Sequence, residues 1–480
     1  MTSLIWFRYD LRVQDNPALK AALEKKEKVF LIYIFDEAPL YGWKMGSAQR
    51  WWLYHSLDRL QKKLEKENLF LNFYRGNPLD ILPTLARRHN VSHIYWNRQY
   101  EPYTVNRDEA LKKKLRSLGH HVESYNGSLL YEPWEVSNAI GEPYKIFTPF
   151  WQRLLSFGSP RDSFFISLKG VHSIRDDKAE KLDSWELIPK SPNWAKEWET
   201  FWTPGEDGAH KLLETFVRKS FLTYKKERDF PALEGTSRLS PHLRFGEISP
   251  HQVWRFIKTQ ALLAHKGIDS FNEEAFLRQL GWREFCTSIL YYYPSIPEKP
   301  FRKEFENFQW EIKQEFLKCW QQGLTGHPLV DAGMRQLWQT GWMHNRVRMV
   351  VASFLTKDLF IHWIEGEKWF WETLVDADLA NNACGWQWVA GCGTDAQPYF
   401  RIFNPTQQSR KFDLNGEYIR QWIPELSNLN KDFIHAPWEA GASELSKAGI
   451  QLGKTYPLPL IDHQTQRKKA LFYYEEMKKR

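Results

Sequence analysis

Four side chains able to hold a planar ring fall on one side of a single helical stretch: Gln279, Trp282, Arg283 and Cys286, spaced by three, one and three residues. An amide, an indole and a cation lie there within one or two turns. A tryptophan and an arginine so placed can sandwich a flat ligand, and equally can be a buried indole covered by an arginine stem. A second group, Asp376, Asp378 and Asn382, precedes Trp386 and Trp388 in a run with few opposite charges nearby. If buried, such carboxylates need a cation or sugar hydroxyls from elsewhere in the fold. A third group, Thr236-Ser237-Arg238-Leu239-Ser240, crowds hydroxyls and free N–H groups beside a positive charge at the start of a helix opened by Pro241. That arrangement suits a phosphate and suits an ordinary helix cap as well.

Other signatures fail. Gly391-Cys392-Gly393-Thr394-Asp395-Ala396 matches a dinucleotide fingerprint as a string, but it follows Trp386-Gln387-Trp388 in a helical region with no preceding strand. Gly449 to Thr455 approximates a phosphate-binding loop and is one residue short between its glycines. The four cysteines, Cys286, Cys319, Cys384 and Cys392, form no metal-ligand spacing and read as reduced, buried thiols. The 24 tryptophans, about one residue in twenty, are more indole than a core requires, which makes ring stacking or electron transfer live options.

The elements that must carry these residues divide by periodicity. Five short β-branched or aromatic runs, Leu4–Arg8, Val29–Phe35, Leu69–Phe73, Ser92–Trp96 and His121–Tyr125, alternate with helical patterns, the clearest being Leu53, Leu57, Leu60 and Leu64 behind a start near Ser47. Strand alternating with helix predicts a parallel α/β sheet over residues 1–130. Residues 131–202 are punctuated by Pro, Ser, Gly and Lys and predict a long connector with short helical pieces. Residues 203–480 read as one helical domain, with Ser240-Pro241 and Ser249-Pro250 as N-cap serines before a first-turn proline. Within it Val347, Val350, Val351, Phe354 and Leu355 make an apolar stripe and leave Asn345, Arg346, Arg348 and Met349 on other faces. The net charge of +8 is compatible with a polyanionic partner without requiring one. No apolar run approaches the ~18 residues of a membrane span, and Arg8, Asp10 and Arg12 stand where a signal peptide would be apolar, so the expectation is a cytoplasmic protein.

Several long motifs in one order resemble the photolyase/cryptochrome family: Trp6-Phe7-Arg8-Tyr9-Asp10-Leu11-Arg12 with Asp15-Asn16-Pro17-Ala18-Leu19, Glu234-Gly235-Thr236-Ser237-Arg238-Leu239-Ser240-Pro241, Gly341-Trp342-Met343-His344-Asn345-Arg346, and Gly393-Thr394-Asp395-Ala396 through Arg401-Ile402-Phe403-Asn404-Pro405. The resemblance implies a Rossmann-like antenna domain followed by an all-helical domain that binds FAD. It implies that Tyr224 and Thr236, Ser237, Arg238, Leu239 and Ser240 hold the diphosphate region, that Asp376 and Asp378 face the flavin and ribose, that Arg348 pairs with Asp376, and that Asn382 sits at flavin N5. Trp386, Trp363 and Trp310 match the family's electron-transfer chain, and Trp282 and Trp388 the aromatic walls of the lesion pocket. Met349 stands where enzymes acting on cyclobutane dimers carry methionine. Arg228, Arg283, Arg346, Arg401 and Lys411 match positions that face DNA. Gln279 departs from the best-known pattern, which has glutamate there; an amide can donate to a thymine carbonyl but cannot titrate. With the plant-cryptochrome-like stretch Tyr125–Glu135, this suggests the bacterial class often called class III.

The implied activity is light-driven repair of cyclobutane pyrimidine dimers in DNA by electron transfer from reduced FAD. Against the rival of a cryptochrome photoreceptor stand the short stretch after the shared core and the pocket residues Trp282, Met349 and Trp388. Against (6-4) photoproduct repair stand Asn345 and Arg346, where that branch uses histidine. The second chromophore is expected to be 5,10-methenyltetrahydrofolate, with a deazaflavin as the alternative, because Tyr100–Asp108 differs from the best-known folate pattern. A monomer associated with the nucleoid through damaged DNA, with no membrane partner, completes the expectation.

Overall fold

The computed structural model describes residues 1–38, 43–263, 270–395 and 400–479. Ala396, part of one family motif, lies outside them. The strands are β1 (Thr2–Phe7), β2 (Lys28–Phe35), β3 (Leu71–Arg75), β4 (Val91–Asn97) and β5 (His121–Tyr125). The helices in chain order are α1 (Pro17–Glu24), α2 (Ser47–Glu65), α3 (Pro78–Arg88), α4 (Pro102–Ser117), α5 (Phe147–Ser156), α6 (Trp198–Phe201), α7 (Glu206–Lys219), α8 (Tyr224–Glu227), α9 (Ser240–Arg244), α10 (Pro250–Leu263) and α11 (Ser270–Tyr292). They continue as α12 (Gln314–Gln322), α13 (Pro328–Thr340), α14 (Asn345–Ser353), α15 (Trp363–Thr373), α16 (Leu379–Ala390), α17 (Pro405–Phe412), α18 (Glu417–Trp422), α19 (Ala442–Lys447) and α20 (His463–Lys479).

The residues group into two compact units. The first comprises 1–222, 237–294 and 375–380; the second comprises 223–236, 295–374 and 381–480. The grouping therefore divides the 203–480 stretch between both units, because α7, α9, α10 and α11 cluster with the α/β segment.

In the first unit the sheet is parallel throughout, in the order β3-β2-β1-β4-β5. The strands read as near-continuous apolar runs because both faces are covered, and Leu4, Phe30, Ile32, Ile94, Leu111 and Leu115 meet in one core. The third strand begins two residues later than its apolar run. Leu69 instead donates its N–H to Leu64 O at 3.0 Å and closes the end of α2, beyond Asn68 in the left-handed region at φ 57°. The connector region carries α5, a 3-10 turn at Leu182–Trp185 and α6.

The order of the strands reverses between β1 and β4, and the loops leaving their carboxyl ends are locked to each other. Asp10 accepts from the Arg8 N–H and the Asn97 amide (2.6 Å), while Asn97 also donates to Asn16 (2.8 Å), the N-cap of α1. Arg12 is removed from solvent and donates to the carbonyls of Gly246 (2.9 Å), Asp15 (2.8 Å) and Gly127 (2.7 Å). Ser249 caps α10 as expected: its hydroxyl accepts from the Gln252 N–H (3.0 Å), and Gln252 returns a bond to the Ser249 N–H (2.8 Å), a reciprocal capping box.

Among the described residues no helix is long and apolar enough to cross a membrane, and no group of three or more His, Cys, Asp or Glu could hold a metal ion.

Gly246 has φ 64°, and a Cβ built there would lie 2.2 Å from the Tyr9 carbonyl oxygen. Both the dihedral and the approach to backbone forbid a side chain. Gly246→Ala is expected to lower stability by roughly 2–4 kcal/mol, read as the shift in chemical denaturation midpoint.

Candidate functional site

On the first unit, a polar pocket opens at the carboxyl ends of β1 and β4, lined by Tyr9, Asp10, Asn97, Arg98, Tyr100 and Glu101 and closed by Arg244, Arg283 and Asp378. Crevices at such strand-order reversals are where open α/β sheets bind ligands. The cation that Asp378 requires is Arg244, which lies 3.3 Å from it and 3.0 Å from Glu101, with its guanidinium 4.1 Å from the centre of the Tyr9 ring. Neighbouring acidic groups hold the Arg244 pKa above the ordinary range despite burial, whose desolvation acts in the opposite direction. Sequence reading missed Arg244; its only signal was a place one turn beyond Ser240-Pro241.

Ser240 does not cap a helix. Leu239 occupies the cap position of α9, after Arg238 at φ 51°, and the Ser240 hydroxyl instead donates to Asp376 at 2.6 Å. The hydroxyl therefore serves the carboxylate group singled out in the sequence. Ser237 accepts weakly from the Leu239 N–H (3.4 Å).

The predicted face of α11 exists, and its members have separate partners. Gln279 donates to Ala275 O in its own helix (3.0 Å). Trp282 is partly exposed and lies flat on Phe147, with ring centres 3.7 Å apart and planes 7° apart. Arg283 donates to Ser128 O at 2.6 Å, so its charge is used to hold the segment after β5. Beside it, Glu284 accepts the N–H groups of Leu130 (2.8 Å) and Tyr131 (3.3 Å), and burial pushes its carboxyl up to about 8. Cys286 is buried.

The second unit holds the tryptophans matched to electron transfer. Trp386 is buried and meets Phe370 edge-on at 5.0 Å and Trp320 at 6.2 Å. Gly366 makes room for it: a Cβ there would lie 2.1 Å from Trp386 Cη2. Trp363 is buried and Trp310 partly exposed, and both rings contact the His362 imidazole, at 5.4 and 4.9 Å. Asn382 donates its amide N–H to Glu367 O at 2.9 Å, which fixes the orientation of the side chain. Trp388 is partly exposed.

On α14 and the π-helical turn that continues it at Phe354–Asp358 the apolar stripe is fully buried, and on α14 Asn345 is exposed, with Arg346, Arg348 and Met349 between. Arg346 pairs with Asp229 at 3.0 Å and covers the Phe412 ring at 4.4 Å; Arg348 Nε donates to Met343 O at 2.8 Å. Tyr224 is buried, which pushes its phenol up, and Arg228 lies over its ring at 5.3 Å. Arg401 and Lys411 are exposed, and Thr236 is partly exposed.

Two histidines cap the helices that present these groups. His344 Nδ1 accepts the Arg346 N–H and His362 Nδ1 accepts the Ile364 N–H, both at 3.2 Å, so each needs an unprotonated nitrogen.

A family model described as DNA photolyase matches residues 3–163, and one described as the FAD binding domain of DNA photolyase matches 276–476. A deoxyribodipyrimidine photo-lyase of Agrobacterium fabrum is 46% identical over 99% of this chain and 98% of its own. Cryptochrome-1 of Arabidopsis thaliana is 39% identical over 96% of this chain and 68% of its own. The crystal structure of a bacterial class III photolyase from Agrobacterium tumefaciens superposes with a TM-score of 0.95 at 46% identity, covering 100% of this chain and 98% of that one. The chain belongs to the photolyase/cryptochrome family and carries that family's FAD-binding domain.

Burial draws both capping imidazoles down to about 4. The unfolded imidazoles take up protons near pH 6.5, so stability falls as pH drops from about 6.5 toward 4. Replacing His344 and His362 together by Asn keeps an acceptor at each cap and removes the titration. The acid-unfolding midpoint, followed by helix circular dichroism, is expected to move to lower pH.

Proposed function

We propose that this protein is a deoxyribodipyrimidine photo-lyase that repairs cyclobutane pyrimidine dimers in DNA under light. The observation that carries the reading is 46% identity to a photo-lyase along 99% of the chain. The partly exposed Trp282, Met349 and Trp388 supply the aromatic and thioether surface such a lesion needs. Gln279 and the class III label of the Agrobacterium structure support assignment to that class.

The residue set fits FAD in its chemistry: the hydroxyls of Tyr224, Thr236, Ser237 and Ser240, the Arg238 cation and the backbone at Leu239 for the diphosphate, Asp376 and Asp378 for the ribose and flavin edge, and the oriented amide of Asn382 for flavin N5. Arg348 is assigned to Asp376, which already accepts from Ser240. Bound there in its fully reduced form, FAD would supply light-driven electron donation to the dimer.

The chain binds, orients and keeps water out. Trp282 and Trp388 wall the flipped dimer, Met349 and Asn345 line it, and Gln279 donates to a thymine carbonyl. Arg228, Arg283, Arg346, Arg401 and Lys411 are assigned to DNA phosphates. Arg283 and Arg346 must share their charge with the partners they already hold, so the exposed Arg401 and Lys411 are the readiest contacts. Trp386, Trp363 and Trp310 are assigned to the relay that reduces the flavin. The antenna is 5,10-methenyltetrahydrofolate bound in the domain of residues 1–130, with 131–202 connecting it to the FAD-binding domain of 203–480. An absorption spectrum separates it from a deazaflavin. We assign the protein to the cytoplasm as a monomer on nucleoid DNA.

Gln279→Leu is expected to lower the repair quantum yield several-fold, as loss of one hydrogen bond of roughly 1 kcal/mol predicts, while Gln279→Glu is tolerated. Wild-type yield in the leucine variant would reduce Gln279 to a piece of wall. Flavin photoreduction without repair in the unaltered protein would favour a cryptochrome, the other kind of relative this chain matches. Trp386→Phe is expected to abolish photoreduction of oxidised FAD and to leave repair by chemically reduced enzyme intact. Normal photoreduction would mean that electrons enter elsewhere.

A further inference from the structure

Phe147, the first residue of α5, is 1% exposed, while the indole stacked on it is partly exposed. Three side chains fix that stack. The Arg278 guanidinium, one turn before Trp282 on α11, lies 4.9 Å from the centre of the Phe147 ring. Phe285 meets both rings edge-on, at 5.9 Å from Phe147 and 5.8 Å from Trp282. Trp151 lies nearly parallel to Phe147, 13° off at 6.3 Å. The approach of the two helices depends on the residue before Trp282, since a Cβ on Gly281 would lie 2.4 Å from Trp151 Cε3.

We propose that Phe147 is a positioning residue for lesion recognition, holding the Trp282 indole flat before DNA arrives so that its ordering is not charged to binding. The inference rests on the assignment of Trp282 as a wall of the lesion pocket. An indole on a partly exposed helix face must otherwise give up rotamer freedom when the dimer stacks on it, and a preformed stack removes that cost. A parallel aromatic pair contributes about 0.5–1.5 kcal/mol beyond its buried area.

The test compares the affinity of the full-length, flavin-loaded protein for a single-stranded oligonucleotide carrying one thymine dimer with its affinity for the undamaged oligonucleotide. Phe147→Leu is expected to reduce this ratio roughly two- to twelvefold, the stacking energy converted at tenfold per 1.4 kcal/mol. Phe147→Tyr should restore it. Phe147→Met keeps the volume without a flat face and serves if the leucine variant does not fold. Acting through Trp282, the change should add nothing in a Trp282→Ala background. An unchanged ratio in the Leu and Met variants where Trp282→Ala lowers it, or losses that add in the double variant, would overturn the proposal. An unchanged ratio in Trp282→Ala would instead overturn the lesion-wall assignment on which it rests.

Discussion

A guanidinium with no access to water, that of Arg12, holds together three stretches of the first unit that lie far apart in sequence. Burying such a charge is costly unless it finds acceptors. Here the carbonyls of Gly246, Asp15 and Gly127 meet its two terminal nitrogens, while Nε is left without a partner, and the path of the loop after β1 is the one that brings these carbonyls together. That path places Arg8 on Asp108 and Asn97 O, and it sets Asp10 against Asn97 and Asn16. The opening motif of the chain is thus mostly a device of architecture. Its charged residues fix the floor of the pocket at the carboxyl ends of the sheet, and Tyr9 alone offers a ring to the Arg244 cation.

The strands and the capped helix at Ser249 were legible in sequence because their signals are local: apolar runs bounded by turns, and a serine directly before a first-turn proline. The same logic failed at Ser240. A serine before a proline predicts a cap, but the left-handed turn at Arg238 moves the cap to Leu239 and frees the hydroxyl for a carboxylate 136 residues away. Leu69 belonged to an apolar run and was taken by the end of α2. The grouping of α7, α9, α10 and α11 with the α/β segment was not legible at all, since helical period says nothing about which core a helix joins.

At the site, residue identity was easier to read than partnership. Trp282 and Arg283 are adjacent in sequence and suggest a shared ligand, yet one stacks on Phe147 and the other reaches back to Ser128 O. Asp378 called for a cation, and nothing in its neighbourhood named Arg244. Nothing in the sequence set His344 and His362 apart, yet burial draws both imidazoles down and leaves them as acceptors at helix starts. In each case the deciding term is long-range: desolvation, or a partner more than a hundred residues distant.

The room beside Trp386 shows how the placement of an indole can be specified by an atom that is missing elsewhere. Any side chain on Gly366 would occupy the space of the indole ring, so alanine there would expel or rotate the tryptophan while leaving every tryptophan codon intact. Mutational tolerance at the buried indole is therefore governed from a neighbouring helix. A lineage could lose this indole's placement through a change that a survey of aromatic positions would count as silent.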